Sequence, residues 1–276
     1  MKLRYLGTGA AEGVPGMFCD CDCCKKTAKA GGRNIRTRSQ SVIDDRLLID
    51  FPADTYMHVL CYGLDLKKIR NCIITHCHRD HLYPGDFENR RKDFAHVDKE
   101  EPFTVYGTAP SGIKSAPVLK ESDLGSSGRV IFREIVPFVA FNADGYTITP
   151  IKANHDKATD PVNYIISKYG STLLYAHDTS CFLPETWDYL ERNKPKFDFV
   201  SLDCTYGITD NTISHMGINN DEKTRARLIE LGCADESTRF CLNHFSHNGK
   251  ATYDELKPIA EKMGFIVAYD GMTAEF

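Results

Sequence analysis

THCHRDHL, at residues 75–82, is the stretch of this 276-residue chain that decides its fold and its chemistry. It follows an apolar run, 72–74, that predicts a short strand. Residues two apart in extended backbone point to the same side, so His76 and His78 face one metal ion together. A turn at Arg79 then brings Asp80 and His81 toward a second ion. Imidazole and carboxylate ligands together favour zinc, manganese or iron over calcium. A solvated histidine loop is the alternative, but this order of ligands after an apolar strand favours metal binding.

Short apolar runs around this stretch predict further strands, at residues 3–6, 41–43, 47–49, 103–106, 146–151, 164–167, 172–175 and 199–202. The second and third of these predict a hairpin across Asp44 and Asp45. Helices are predicted at 54–60, 221–231 and 253–263, and Gly232 and Gly264 follow the last two. Residues 111–128, rich in Ser, Gly and Pro, are predicted to form a loop. With no repeat and no interdomain linker, the pattern predicts one domain, 1–276, of the α/β class, in which two mixed sheets lie between helices.

The composition restricts the partners. Hydrophobic residues make up 42% of the chain and charged residues 26%, and the net charge is −4. Because no basic field surrounds such a chain, nucleic acid is disfavoured as a partner. No apolar run predicts a membrane span or a secretory signal, so we expect a cytoplasmic protein without a membrane partner, and a homodimer stays open. Eleven cysteines in a reducing compartment indicate metal ligands and buried thiols rather than disulfides.

The pattern His76-x-His78-x-Asp80-His81 resembles the signature motif of the metallo-β-lactamase superfamily. Three later segments resemble the parts of that family that carry its other ligands: Ala153-Asn154-His155, Tyr175-Ala176-His177-Asp178 and Asn243-His244-Phe245-Ser246. The resemblance covers essentially the whole chain and implies a four-layer αββα sandwich with metals at one edge. It implies two catalytic divalent ions (Zn, Mn or Fe), one held by His76, His78 and His155, the other by Asp80, His81 and His244, with Asp178 as a bridge. His177 competes with Asp178 for that role, and His247 competes with His244.

The implied metals suggest a hydrolytic mechanism. Two cations lower the pKa of a shared water toward about 7, which supplies hydroxide at neutral pH, and they bind the oxygens of a phosphodiester. Asp80 is therefore predicted to be catalytic as well as a ligand. His215 resembles a substrate-side histidine of superfamily phosphodiesterases and is predicted as a general acid, with an ordinary loop histidine as the alternative. Asp50 and Asp203 each close a strand and are predicted to orient ligand histidines, with a cap or turn role as the alternative.

A second cluster lies near the N-terminus, where Cys19-x-Cys21-x-x-Cys24 suits a tetrahedral metal site that needs one more ligand. Within the superfamily the chain resembles most closely the phosphoribosyl cyclic phosphodiesterases of bacterial phosphonate breakdown. That resemblance implies a structural zinc with His247 as the fourth ligand. Cys23 is an extra thiol, so which three cysteines bind stays open.

The leading hypothesis is a phosphodiesterase for a small cyclic or nucleotide-like phosphodiester. A ribonuclease Z-like tRNA 3′-processing enzyme is an alternative, although no Gly- and Lys-rich arm is evident. Hydrolysis of β-lactams or thioesters is a weaker hypothesis. A non-enzymatic, zinc-stabilised binding module is opposed by the ligand count, because seven ligands on two ions leave room for water. Arg33, Arg36 and Arg38 are predicted to lie on a solvated basic loop, with a phosphate contact as the alternative.

Overall fold

A computed structural model describes residues 1–97, 101–209 and 213–276 of the protein. Its strands are β1 (Lys2–Gly7), β2 (Gln40–Ile43), β3 (Leu47–Ile49), β4 (Asn71–Ile73), β5 (Phe103–Gly107), β6 (Val130–Glu134), β7 (Phe141–Ala143), β8 (Tyr146–Lys152), β9 (Val162–Lys168), β10 (Ser171–Ala176), β11 (Phe199–Asp203), β12 (Arg239–Asn243), β13 (Ile266–Val267) and β14 (Thr273–Glu275). Its α-helices are α1 (Asp22–Ala30), α2 (Thr55–Tyr62), α3 (Ala109–Glu121), α4 (Pro184–Asn193), α5 (Ile218–Glu230) and α6 (Tyr253–Lys262).

The strands form two seven-stranded sheets of similar design. The first has the order β14-β1-β2-β3-β4-β5-β6 and the second the order β13-β12-β11-β10-β9-β8-β7. Strands β3 to β6 run parallel in the first sheet, and β10 to β13 run parallel in the second, while the remaining strands pair antiparallel. Helices α2 and α3 contact the first sheet, and α4, α5 and α6 contact the second. The predicted four-layer αββα sandwich is therefore confirmed.

The main core lies between the two sheets. Side chains of β1 to β3 meet those of β8 to β12 there, with no exposed surface on Tyr5, Ile49 or Leu202. Two hydroxyl contacts join the sheets inside this core: Tyr5 Oη lies 2.7 Å from Ser201 Oγ, and Ser41 Oγ lies 3.2 Å from Tyr175 Oη. Because buried hydroxyls need such partners, these contacts help to set one sheet against the other.

Most predicted elements are confirmed, including the hairpin of β2 and β3, and Gly232 and Gly264 follow α5 and α6 with φ of +74° and +80°. The predicted loop at 111–128 is wrong over its first half, because α3 occupies 109–121. The glycine content suggested a loop, but Gly112 serves helix packing instead. A Cβ on Gly112 would lie 2.7 Å from the ring of Phe132, so glycine lets the helix approach β6 closely. In the described part of the chain, no helix is long and apolar enough to cross a bilayer.

Candidate metal centre

The predicted ligands lie where strands end. The segment 75–81 follows β4, Asp178 follows β10, and His244 follows β12. Asp178 and His244 have positive φ, 54° and 61°, as does Asp50 after β3, 66°. Asp and His tolerate the left-handed region better than most residues, and this conformation turns the chain sharply as each strand ends. The carboxyl ends of both sheets therefore deliver their side chains to one shared edge.

One group of possible ligands joins His76, His78, His155 and Asp178, whose donor atoms all lie within 4.8 Å of one another. His78 Nδ1 lies 3.0 Å from His76 Nε2 and 3.2 Å from His155 Nε2. Asp178 Oδ2 lies 3.1 Å from His76 Nε2. The four side chains thus converge on one point.

A second group joins Asp80, His81, Asp178 and His244 within the same limit. His81 Nε2 lies 3.0 Å from Asp178 Oδ2 and 3.3 Å from His244 Nε2. Asp178 belongs to both groups, which is the position that the family resemblance gives to a bridging ligand. The neighbouring His177 points into the core instead, with Nε2 2.6 Å from Ser201 Oγ.

The residues at this edge fit divalent cations. Asp178 Oδ1 is buried and makes no hydrogen bond, although ring nitrogens of His215 and His155 lie 3.2 Å and 3.5 Å from it; a bound cation would satisfy this oxygen. Several imidazole nitrogens face one another at 3.0 to 3.3 Å, although a neutral imidazole carries only one proton. Nitrogen and carboxylate donors gathered in this way match the ligand preferences of zinc and similar metals.

The electrostatics of the cluster favour a bound cation. Burial lowers the pKa of His76 to about 4 and also lowers that of His155, so both are neutral and able to bind metal at pH 7. Burial also disfavours charge on His81, but Asp50 and Asp80 outweigh it and raise the pKa of His81 well above its usual value. Burial alone would raise the pKa of Asp178, but the nearby His244 and His76 outweigh it and hold that pKa well below the usual range. Buried, ionised carboxylates of this kind attract a cation.

Asp50 and Asp203 each contact one of the candidate ligand histidines. Asp50 Oδ2 lies 2.7 Å from His81 Nδ1, and Asp203 Oδ2 lies 3.3 Å from His244 Nδ1. Neither caps a helix. Sequence reasoning missed Thr205, whose Oγ1 lies 2.8 Å from His244 Nδ1 and donates to Asp203 Oδ2 at 3.0 Å. The only feature of the sequence that could have pointed to Thr205 is its position two residues after Asp203.

His215 reaches the same cluster from the loop before α5. Its Nδ1 lies 3.2 Å from both Asp203 Oδ2 and Asp178 Oδ1. Burial opposes its charge, but Asp203 overrides this and raises the pKa of His215 to about 9. His215 lines a cavity of about 210 Å³, together with Asp80 and His155. A protonated imidazole therefore faces the space where a substrate would meet the metals.

The predicted cysteine site also assembles. Donor atoms of Cys19, Cys21, Cys24 and His247 lie within 4.8 Å of one another, and His247 Nδ1 is 3.5 Å and 3.6 Å from the first two sulfurs. A backbone hydrogen bond from Cys24, outweighing partial burial, lowers the pKa of Cys21 to about 7, which favours the thiolate that zinc requires. Among the residues that the structure describes, Cys23 belongs to no such group and is buried on α1.

Within the basic stretch, Arg33 is exposed, as the predicted solvated loop implies, but Arg36 departs from both sequence interpretations. Arg36 is only 5% exposed, and its guanidinium lies 3.9 Å from the ring centroid of Phe245, so it is neither solvated nor able to reach a phosphate. The reason is tertiary: a ring and polar partners from distant segments enclose it. Arg38 forms an ion pair with Asp54 at 3.0 Å, and Arg33 lies over a tyrosine ring.

Comparison with known proteins identifies the class. The fold and the convergent His and Asp side chains define a protein of the metallo-β-lactamase type. A family model described as beta-lactamase superfamily domain matches residues 48–245, which is most of the 276-residue chain. The protein belongs to this family, the metallo-β-lactamase superfamily of hydrolases.

Individual relatives are more distant. Ribonuclease Z of Leuconostoc mesenteroides is 28% identical over 162 residues, covering 56% of this chain and 45% of that protein. The match thus spans about half the length of the curated relatives. Two solved structures share the fold over the whole chain: a diphosphatase from the PhnP family (22% identity, 96% of that chain, TM-score 0.71) and zinc-bound PqqB from Methylobacterium extorquens (19% identity, 100% of that chain, TM-score 0.75).

Proposed function

We propose that the protein is a metal-dependent phosphodiesterase that hydrolyses a small cyclic or nucleotide-like phosphodiester. The observation that carries this proposal is the position of Asp178, which joins two groups of three further ligands at one sheet edge. Seven side chains on two ions leave coordination positions for water and substrate, unlike a closed structural site. Bound divalent ions would activate water and offset the negative charge of the phosphate.

The side chains take distinct roles in this proposal. His76, His78 and His155 would hold one ion and Asp80, His81 and His244 the other, and Asp178 could contribute to both. The Asp80 carboxylate stays ionised despite its burial, because His81 keeps its pKa well below the usual range. An ionised carboxylate at this position would help to attract the second ion.

His215 is proposed as the general acid. Its Nδ1 faces the carboxylates of Asp203 and Asp178, so Nε2 is the nitrogen left to meet a leaving oxygen. The negative charge of Asp203 keeps a proton on the ring at neutral pH, which a general acid requires.

Cys19, Cys21, Cys24 and His247 are proposed to hold a structural zinc. Four nitrogen and sulfur ligands would close the coordination sphere and leave no place for substrate. The ion would join the loop before α1 to the segment after β12, so it would tie together parts of the chain that are more than 220 residues apart.

Phosphoester chemistry is supported from two directions. The similar structures include a diphosphatase, and the curated relatives are ribonuclease Z enzymes, so both groups act on phosphate compounds. The cavity at the metal centre, about 210 Å³, matches a phosphate group with a small substituent. A ribose cyclic phosphate is a candidate on the resemblance to phosphoribosyl cyclic phosphodiesterases.

The test is turnover by metal-reconstituted protein. We expect zinc-, manganese- or iron-loaded enzyme to cleave bis(p-nitrophenyl) phosphate, and to act poorly on a β-lactam or a thioester. Asp80→Ala and His81→Ala should each remove about one metal equivalent and most activity, while His96→Ala, at an exposed histidine, should change neither. Full activity of both site variants, or no diester cleavage with any metal, would contradict the proposal.

Processing of tRNA 3′ ends is the second candidate function, because the curated relatives are named ribonuclease Z and are 28% identical to this chain or slightly more. The net charge of −4 and the lack of a Gly- and Lys-rich arm in the sequence argue against it. Cleavage of a precursor tRNA at lower concentration than any small diester would favour this candidate instead.

A further inference from the structure

A second, larger cavity lies beside the metal centre. It has a volume of about 560 Å³, within the roughly 300–1,000 Å³ range of ligand sites. Its lining includes Met17, Phe18, Arg79 and Tyr83, and we call this cavity the outer groove. Ala11 and Glu12 line both the outer groove and the cavity at the metal centre, so the two spaces adjoin across one short segment.

The outer groove carries an uncovered apolar wall. Phe18 is fully exposed, Met17 is 72% exposed, and Tyr83 is 45% exposed. The loop that presents Met17 and Phe18 is held at both ends: Cys19 N donates to Gly16 O at 3.1 Å, and Gly16 N donates to Cys24 Sγ at 3.3 Å. An exposed ring on an anchored loop offers a flat surface for stacking, at little cost in ordering.

The outer groove also carries an unpaired cation. Arg79 is exposed, and it forms no hydrogen bond or ion pair with any residue that the structure describes. The groove's other arginine, Arg38, is already paired with Asp54 at 3.0 Å. The acidic lining residue Glu12 also has partners, since its Oε1 accepts from Ser246 Oγ and lies 3.4 Å from His247 Nε2. The free guanidinium of Arg79 lies next in sequence to two proposed metal ligands, and guanidinium is well suited to bind phosphate.

We propose that the outer groove binds the remote half of a nucleoside diphosphate substrate. One phosphate lies at the metal centre, the second pairs with Arg79, and the base stacks against Phe18 beside Met17 and Tyr83. Charge complementarity and continuity with the metal cavity select this occupant over a purely apolar one. This inference rests on the proposed metal-dependent hydrolysis, because it uses the same metal centre, and it goes beyond that function in substrate class. With the terminal phosphate at the metals, water would cleave the bond between the two phosphates and release orthophosphate and the nucleoside monophosphate.

The experiment measures binding by calorimetry, with metal-loaded protein and three ligands: ADP, pyrophosphate and orthophosphate. The first two are used as analogues in which a methylene group replaces the bridging oxygen, so that the enzyme cannot hydrolyse them. Phe18→Ser should weaken ADP binding about tenfold, as loss of a stacked base does, and leave pyrophosphate unchanged. Arg79→Gln should weaken both ADP and pyrophosphate about tenfold, since both place a second phosphate at Arg79, and leave orthophosphate unchanged. The two variants therefore separate base recognition from phosphate recognition.

Matched controls test surface effects. Tyr169→Asn removes another exposed aromatic, at the β9–β10 turn and so at the far end of β10 from Asp178, and asparagine tolerates its φ of +53°. Arg192→Gln removes an exposed arginine from α4. Neither should change any of the three affinities.

Two failures are distinguishable. Equal losses of ADP and pyrophosphate in Phe18→Ser, or unchanged binding in both groove variants, would overturn the groove assignment. If the enzyme still cleaves bis(p-nitrophenyl) phosphate in that case, the proposed function stands. A different result would overturn the proposed function and leave a nucleotide-binding groove. In that case Phe18→Ser weakens ADP binding but not pyrophosphate binding, while the wild-type protein cleaves no diester.

Discussion

His81 Nδ1 lies 2.7 Å from Asp50 Oδ2, and both side chains are completely buried. Asp50 also accepts from Thr75 N at 2.8 Å, so its carboxylate is fixed to the start of the ligand loop. This contact directs His81 Nε2 toward Asp178, 3.0 Å away. A carboxylate that holds the outer nitrogen of a ligand histidine sets its tautomer and its orientation.

Asp50→Asn should therefore weaken metal binding without removing any ligand. We expect a loss of roughly 10- to 100-fold in metal affinity or in kcat/KM, as for other residues that orient metal ligands. Competitive chelator titration and elemental analysis measure the first, and diester turnover the second. Asp188→Asn, at an exposed aspartate on α4, is the matched control and should behave as wild type. Wild-type affinity in Asp50→Asn would show that the contact does not orient His81.

His215→Ala should discriminate between leaving groups. If His215 protonates the leaving oxygen, esters of poorly acidic alcohols should slow by roughly 10²-fold more than p-nitrophenyl esters, which need little protonation. The measurement is kcat/KM for a matched alkyl and aryl diester series. Equal losses across the series would mean that His215 binds substrate or packs, and not that it transfers a proton.

His247→Ala should affect stability rather than chemistry. Loss of the fourth ligand should release one zinc and lower the Tm by several degrees, because the ion would close a very long loop. The folded fraction should keep its two catalytic metals and its turnover. His96→Ala serves as the control for removal of an exposed histidine. Should His247→Ala instead abolish turnover with the cysteine zinc intact, the roles of His244 and His247 are reversed.

Acid stability should depend on His58, a buried residue on α2. Its Nδ1 lies 2.6 Å from Gln40 Oε1, and burial lowers its pKa to about 4 from 6.5. Because the unfolded chain takes up this proton at higher pH than the folded one, stability is complete above pH 6.5 and falls as the pH drops toward 4, by about 3 kcal/mol. Urea unfolding measures the free energy of unfolding at pH 7 and at pH 5. The loss of this free energy between the two pH values should be smaller for His58→Gln than for wild type or His96→Gln. An equal difference in all three proteins would contradict this.

The sequence predicted the architecture well where its signals are local. Short apolar runs located β1 to β5 and β8 to β11, helical spacing located α5 and α6, and the segment 54–60 was also predicted as a helix, which is α2. It failed at α3, where Ser, Gly and Pro suggest a loop, but the helix packs closely on β6 through Gly112 and Phe132. It also did not predict α1 or α4, whose apolar faces are short.

By itself, the sequence determined the ligand loop at 76–81, because strand, turn and donor atoms there lie within ten residues and depend on local geometry alone. The choice between neighbours was decided by the tertiary structure. Asp178 rather than His177 enters the cluster because the turn after β10, at a φ of 54°, directs one side chain to the sheet edge and the other into the core. For the same kind of reason, Arg36 is buried, whereas Arg79 has no hydrogen-bond or ion-pair partner among the residues that the structure describes. Burial and partnership depend on which distant segments fold against a side chain, and no local pattern carries that information.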